Sequence, residues 1–553
     1  MKRSFKKVLF STLVFIFLLV SFGQVLAEEE IDTNTEYYTP MDETVTVTTG
    51  RQLPLEPKFP EGEDLENNDI VKWYEDNLNI NFEVDWTVSD QNNSFENRVN
   101  MLIASNDLPD FLILLVEPQG LNILRKLVDN DMIMDMTDLW DENASPYLKK
   151  FHEESDNVAF KDVTFDGRLM AIPNLSDIET AAPIMWVRQD WLDNLGLEGP
   201  ETVDDVIKIA KAFKEQDPDG NGVDDTIGLP GRQVLFKGDT ASFDWVFGAY
   251  NAYPGDWINK DGKVVYGSVQ PEAKAALAKI HEMYEAGIVD KEFLLKTGDD
   301  AVEPVMSGKA GIFQGAWWST WWPLNSAIQN NPESEWKAYF IKSEDGNAYS
   351  RSYPAVRQIM VVRKDYEHPE AIMKMLNWSQ LADMKQLDWY NNLVDPGGKY
   401  AETTTNIRPI NGMSAKYLKE ISIRYNQIMD VINGELDYDD ATKETQSIVD
   451  TIRNWKAAED PLADIGLWAS AVSWLEGAST FAEYDIQFNI PAFSGTTRTM
   501  AQKNGILQDL ENESYLQIII GDRSIDEFDN FVNKWSTLGG NTITEEVNSI
   551  VAE

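Results

Sequence analysis

The chain has no cysteine in 553 residues. That excludes a disulfide framework, thiol chemistry, thiolate metal ligation and a lipid-modified amino-terminal Cys. Histidine is nearly as scarce: His152, His281 and His368 lie far apart, and solvated helix faces are the expected home of the last two. No His-Glu-x-x-His, Gly-x-Ser-x-Gly or phosphate-cradling Gly-x-x-x-x-Gly-Lys pattern occurs. Positive charge is also short, with 47 Lys+Arg against 93 Asp+Glu and a formal net charge of −46. Nucleic acid is therefore not an expected partner, because phosphate contacts need basic patches and no basic run occurs beyond residue 7.

What is present begins with Lys2, Arg3, Lys6 and Lys7, an apolar run from Val8 to Gly23, and Val25-Leu26-Ala27 before Glu28. This is the pattern of a secretory signal peptide over residues 1–27, cleaved after Ala27, with an uncleaved anchor of about 16 apolar residues as the alternative. No later segment is long and apolar enough to span a bilayer. Cleavage removes four positive charges and no negative ones, so the net charge becomes −50. Such a surface favours solubility and suits an environment of high salt.

The remainder is longer than one hydrophobic core usually serves, so two or more lobes are expected. Eighteen Trp, 19 Tyr and 24 Phe make a heavy aromatic load; most should be core and a few should form flat platforms in a cleft.

Val45 to Thr49 reads as a strand, 69–86 as a helix end passing into the alternating strand Ile80, Phe82, Val84, Trp86, and Phe111 to Val116 as an apolar strand after a helix ending near Ser105. This βαβ pattern predicts an α/β fold with ligands at the carboxyl ends of strands. Asp166-Gly167-Arg168 reads as a turn, Ile184 to Arg188 as a strand and 189–196 as a short helix stopped by Gly196. Thr202 and Asp205 have capping-box spacing ahead of the apolar face Val203, Val206, Ile207, Ala210, Phe213.

Residues 217–228 place oxygens at Asp217, Asp219, Asn221 and Asp225, with the Val223 carbonyl between them and Gly222 allowing the sharp turn. Those are loop positions 1, 3, 5, 7 and 9 of a calcium site. The bidentate Glu of position 12 is replaced by Gly228, so a single structural ion, or a plain acidic turn, is expected rather than a switching EF-hand.

Several phrases in order resemble one family: Leu102-Ile-Ala-Ser-Asn-Asp-Leu-Pro-Asp110, Asp166-Gly-Arg-Leu-Met-Ala-Ile-Pro173, Val187-Arg-Gln-Asp-Trp-Leu-Asp-Asn-Leu-Gly-Leu197, Tyr284-Glu-Ala-Gly-Ile-Val-Asp-Lys-Glu-Phe293, Met306-Ser-Gly-Lys-Ala-Gly311, His368-Pro-Glu-Ala-Ile372, and a tail with Ile518 to Asp529 and Trp535 to Gly540. Together with the calcium-type loop they resemble the extracellular solute-binding proteins of ABC importers. The branch is the carbohydrate-binding one common in Gram-positive bacteria, similar to alginate-oligosaccharide binding proteins.

The resemblance implies a two-lobed periplasmic-binding-protein-like fold of type II, closing on a ligand by a hinge motion. The expected division is a linker over 28–44, an N-terminal lobe from 45–168 with about 345–400, and a C-terminal lobe from 169–344 with about 401–553. It also carries a structural calcium onto Asp217, Asp219, Asn221, Val223 and Asp225, although relatives such as the alginate binders have Glu where Thr226 stands.

Ligand contacts are expected from aromatics. Gly315-Ala-Trp317-Trp318-Ser-Thr-Trp321-Trp322-Pro follows the apolar strand Ala310 to Phe313, and Trp468 and Trp474 with Glu476 form a second cluster. Sugar rings stack their apolar faces on indole. Asp244, Trp245 and Arg351 are further candidates, the last for a uronate carboxylate or a surface ion pair. The expected function is a secreted, non-catalytic monomer at the outer face of the membrane, delivering an oligosaccharide to ABC permease subunits. A secreted polysaccharide hydrolase or lyase is the alternative, since paired carboxylates would serve it, and a peptide or osmolyte could occupy the same scaffold.

Overall fold

The computed structural model describes residues 31–552 apart from 239, 396, 402 and 404–406. The expected signal peptide lies outside them.

The first core forms around a five-stranded sheet. Val45–Leu53 pairs in parallel with Ile80–Ser89 on one side and Phe111–Leu115 on the other. Gln358–Val362 then runs antiparallel between Phe111–Leu115 and Ile172–Pro173. The connection through Asp69–Leu78 shows why the local sequence folds this way. Asn68 Oδ1 accepts from the Ile70 and Val71 amides at 3.0 Å each, satisfying two orphan donors. Ile70, Val71, Tyr74 and Leu78 are buried on one stripe, and Asn79 ends the helix at φ 57°.

A second body is organised by an antiparallel sheet with Ile184–Arg188 between Ile312–Gly315 and Trp336–Tyr339. The expected capping box closes on the helix Val203–Glu215: Asp205 N donates to Thr202 Oγ1 at 3.3 Å and Thr202 N to Asp205 Oδ2 at 3.0 Å. Its buried face uses Ile209 rather than the expected Ile207, which is half-buried. Gly196 stops the helix Gln189–Leu195 at φ 63°. Three long helices near the carboxyl end, Arg498–Ile519, Glu527–Trp535 and Asn541–Ala552, pack on this body, as do Glu420–Asn433, Lys443–Ala457 and Ile465–Val472 on its other side.

The cores locate three crossings of the chain between the two bodies: Ile178 to Ala182, Ala348 to Ala355, and Ala415 to Ile421. Several expected boundaries move accordingly. Leu169 to Ile178 and Ile407 to Ala415 pack in the first core, whereas Ala348 belongs with the second body. Tyr38, placed in a linker by the sequence, is 4% exposed in the first core. The short strand Ile172–Pro173 explains the first shift, because it completes the sheet that the sequence reading ended earlier.

Candidate functional site

Where the crossings meet, the two bodies enclose a cavity of about 680 Å³. From the first body come Asn174, Ser176, Arg357 and Gln358, and from the second Trp317, Trp474 and Arg424. Tyr353, Pro354 and Lys416 of the crossings also line it. Asn174 fastens neighbouring parts of the lining. Its Oδ1 accepts from Arg357 N and Gln358 N at 2.9 and 3.0 Å, while its Nδ2 donates to Ser176 Oγ and the Gly412 carbonyl at 3.1 Å.

The strand Ile312–Gly315 does end in the Trp-rich loop, which is pinned from below. Trp186 Nε1 donates to the Ala316 carbonyl at 2.9 Å, and Thr320 Oγ1 donates to the Ala469 carbonyl at 2.7 Å. Trp317 thereby meets Trp474 of the π-helical turn Ser473–Gly477 at 4.9 Å between ring centroids, the planes 56° apart. Both rings are half-buried and both line the cavity. Trp317 Nε1 is shielded from solvent without a hydrogen-bond partner.

The other sequence candidates scatter. Trp318 is half-buried and Trp321 is 49% exposed, and neither lines the cavity. Trp468 is 7% exposed and Trp245 2% exposed, so each is filled on all sides by core and presents no face to a ligand. Asp244 and Arg351 line a smaller adjoining cavity of about 180 Å³ that shares Thr180, Tyr353 and Pro354 with the larger one. There Arg351 lies 3.7 Å from Asp244 and 3.2 Å from Asp256, both buried. Asp244 also accepts from Lys237 N, Gly238 N and Ser242 Oγ. The sequence left Arg351 either a uronate carboxylate or a surface ion pair; the structure shows ion pairs, with two buried aspartates.

Functional candidates that the sequence reading missed are Asn174, Tyr353, Arg357, Lys416 and the carboxylates around them. Asp177 caps the turn Glu179–Ala181, accepting from Glu179 N at 3.0 Å and Thr180 N at 2.9 Å, and burial pushes its carboxyl up. Glu179 accepts from Ser422 N and Oγ at 2.9 and 2.7 Å, tying the first crossing to the third; burial pushes its carboxyl up to about 7. Arg424 is gripped by Glu420 and Glu444. The strand-terminal Pro173-Asn174 and the Tyr353-Pro354 break were the available signals for these hinge positions.

In the acidic loop the donor set is all oxygen, as a hard cation requires. Gly222 N donates to Asp217 Oδ2 at 3.0 Å, Val223 N to Asn221 Oδ1 at 2.6 Å, and Asn221 Nδ2 to Asp219 Oδ2 at 2.8 Å. Burial, a hydrogen bond with Asp217 and the charges of Asp217 and Asp225 push the Asp219 carboxyl up. Thr226 takes no part, because its hydroxyl donates to the Phe213 carbonyl at 2.8 Å. Among the described residues no group of three or more His, Cys, Asp or Glu is arranged to hold a metal. The donors thus fit calcium in kind but fall short in assembled carboxylates.

The family model of bacterial extracellular solute-binding proteins matches residues 61–386. Lipoprotein LipO of Bacillus subtilis is 26% identical over 471 residues, 83% of this chain and 84% of that protein. The polygalacturonan/rhamnogalacturonan-binding protein YtcQ of B. subtilis is 31% identical over 222 residues, 40% of this chain and 41% of its own length. The fructooligosaccharide ABC transporter substrate-binding protein FusA of Streptococcus pneumoniae is 30% identical over 251 residues, 43% and 44% of the two chains. The solved structure of FusA with kestose superposes with a TM-score of 0.58 at 18% identity, covering 92% of this chain and 99% of that one. It shows the same α/β binding-protein fold, and a second FusA structure is described as an EF-hand mutant.

Proposed function

The chain belongs to the bacterial extracellular solute-binding proteins, a family of binders rather than enzymes, and from that premise we propose that it is the receptor of an ABC importer that captures an oligosaccharide between its lobes and hands it to the permease. The observation that carries this reading is the Trp317–Trp474 pair at the wall of a cavity crossed by three hinge segments. Indole faces suit the apolar faces of sugar rings, while Ser176, Ser414 and Gln358 supply hydrogen-bonding groups for hydroxyls. A cavity of this size suits a short oligosaccharide.

The same reading places the protein outside the cell at the outer membrane face, where a permease partner would hold it. The ligands for which YtcQ and FusA are named, both saccharides, support a saccharide here. Calcium in the Asp217–Asp225 loop is part of the proposal as a structural ion. It would neutralise crowded carboxylates and add stability by mass action, about 1.4 kcal/mol at ten times its dissociation constant. The thermal midpoint should therefore rise by one to a few degrees in millimolar CaCl2 and lose that rise in Asp217→Asn. An unchanged midpoint removes calcium from the account.

Calorimetry of the full secreted chain against fructo-, galacto-, xylo- and uronate oligosaccharides, with a reducing-end assay on the same mixtures, tests the main reading. Binding without new reducing ends supports a receptor. Turnover of any glycan overturns it in favour of the hydrolase alternative.

A further inference from the structure

The main cavity carries a charge balance unlike that of the chain. Its lining holds three cations, Arg357, Lys416 and Arg424, and three carboxylates, Asp177, Glu420 and Glu444, in a chain with about twice as many acids as bases. The carboxylates are all turned to internal work. Asp177 accepts two backbone amides of the hinge turn, and Glu420 and Glu444 both close on Arg424.

The cations are not equally committed. Arg424 is spent on its two glutamates and on Thr445 Oγ1 at 3.1 Å. Arg357 and Lys416 have exposed side chains with no ion pair and no side-chain hydrogen bond among the described residues. The Arg357 guanidinium lies over the Tyr353 ring, 5.5 Å from its centroid, and both residues line the cavity. Its backbone is fixed by Asn174, so the stem starts from a rigid point. Lys416 sits on the third crossing, its backbone amide bonded to the Leu175 carbonyl at 2.9 Å, near enough to Glu444 to influence that carboxyl.

We propose that Arg357 and Lys416 form an anion subsite facing the Trp317–Trp474 platform, so that the ligand is an oligosaccharide bearing a carboxylate, a uronic-acid unit. This rests on the oligosaccharide reading above and narrows it. A guanidinium offers a planar fork that matches a carboxylate with two parallel hydrogen bonds, and an ammonium adds a point charge beside it. In so acidic a chain the long-range field repels an acidic sugar, so affinity for one must come from cations placed inside the cavity. Among the lining residues only these two are uncommitted and positive. A neutral sugar would leave both without a counter-charge on closure, where excluded water makes an unpaired charge costly.

The test is calorimetry of the full chain with trigalacturonate, trimannuronate and glucuronoxylotriose, each beside its methyl ester, which keeps the shape and removes the charge. The acids should bind about tenfold or more tighter than their esters, and this preference should weaken from 50 to 500 mM NaCl. Arg357→Gln and Lys416→Gln should each lower affinity for the acid by about tenfold and leave that for the ester unmoved, with Arg357→Lys recovering part. Both positions are exposed, so an unchanged thermal midpoint confirms an intact fold. Equal binding of acids and esters, or unchanged acid affinity in the two Gln variants, overturns the subsite. Binding of neutral oligosaccharides alone overturns it while leaving the receptor reading intact. Binding of neither charged nor neutral sugars overturns both. Tighter binding of a sulfated trisaccharide than of the carboxylates overturns the uronate assignment.

Discussion

Gly477 lies so close to Trp317 that a Cβ built on it would stand 2.0 Å from the Trp317 carbonyl oxygen and 2.8 Å from its carbonyl carbon. The obstacle is backbone, which cannot rotate away as a side-chain tip would. This approach seats the Trp-rich loop against the turn Ser473–Gly477 and so fixes the angle between Trp317 and Trp474.

Gly477→Ala should therefore cost about 1–3 kcal/mol of stability through overpacking and reduce oligosaccharide affinity as the two rings separate. Urea unfolding and calorimetry read the two effects. Retention of both wild-type values would show that the loop moves freely and that the ring geometry is not set here.

Trp317→Ala and Trp474→Ala should weaken ligand binding by about tenfold or more, with a small change in midpoint because each ring is half-buried. Their effects should not add, since the rings touch. Trp468→Ala should behave oppositely, losing about 3–5 kcal/mol as a core deletion while the folded fraction binds ligand normally. A binding loss confined to Trp468→Ala would move the sugar contact from the Trp317–Trp474 pair to Trp468.

How far the sequence carried these assignments depended on whether the deciding contacts were local. The helix start at Thr202 and Asp205, the stop at Gly196 and the strand leading into the Trp loop all follow from neighbours within a few residues, and all are present. Which Trp faces the cavity is not local. Trp317 and Trp318 are adjacent and chemically identical, yet only the first lines the cleft, because Gly477 and the Ala469 carbonyl, both far along the chain, fix the loop. Arg351 and Arg357 show the same limit. Nothing nearby in the chain reveals that Asp244 and Asp256 pair with the former while, among the described residues, no carboxylate pairs with the latter. The lobe boundaries slipped for a related reason: a two-residue strand such as Ile172–Pro173 has no periodicity to read.

Arg351 should be a stability residue first. Arg351→Ala strips the guanidinium from Asp244 and Asp256, which are 6% and 4% exposed, and an uncompensated buried carboxylate costs several kcal/mol. The remaining donors to Asp244 and the Lys237–Asp256 pair at 2.7 Å limit the loss to about 3 kcal/mol. Arg351→Lys should lose less, since it keeps the charge but not the fork. Denaturant midpoints of the ligand-free variants check this. A stable Arg351→Ala protein that fails only in binding would restore the ligand role expected from the sequence.

Glu511 sets a pH dependence. It is buried in the second body, accepting from Tyr266 Oη at 2.8 Å and Ser268 Oγ at 2.7 Å, and burial pushes its carboxyl up to about 7. The folded state then holds a proton that the unfolded chain releases near its ordinary value of 4.5. Between those values the native state binds more protons, so stability falls as pH rises. The contribution is fully present below about 4.5 and is lost as pH passes through about 7. Two and a half pH units correspond to roughly 3 kcal/mol. Glu179, raised for the same reason, acts in the same direction at the hinge. Unfolding free energies by urea at pH 5 and pH 8 should thus differ more in the wild type than in Glu511→Gln, by roughly 3 kcal/mol, because the amide occupies the same space without titrating. An identical pH 5 to pH 8 difference in the two proteins would mean that Glu511 is ionised in the fold at both, its charge accommodated by the Tyr266 and Ser268 hydroxyls.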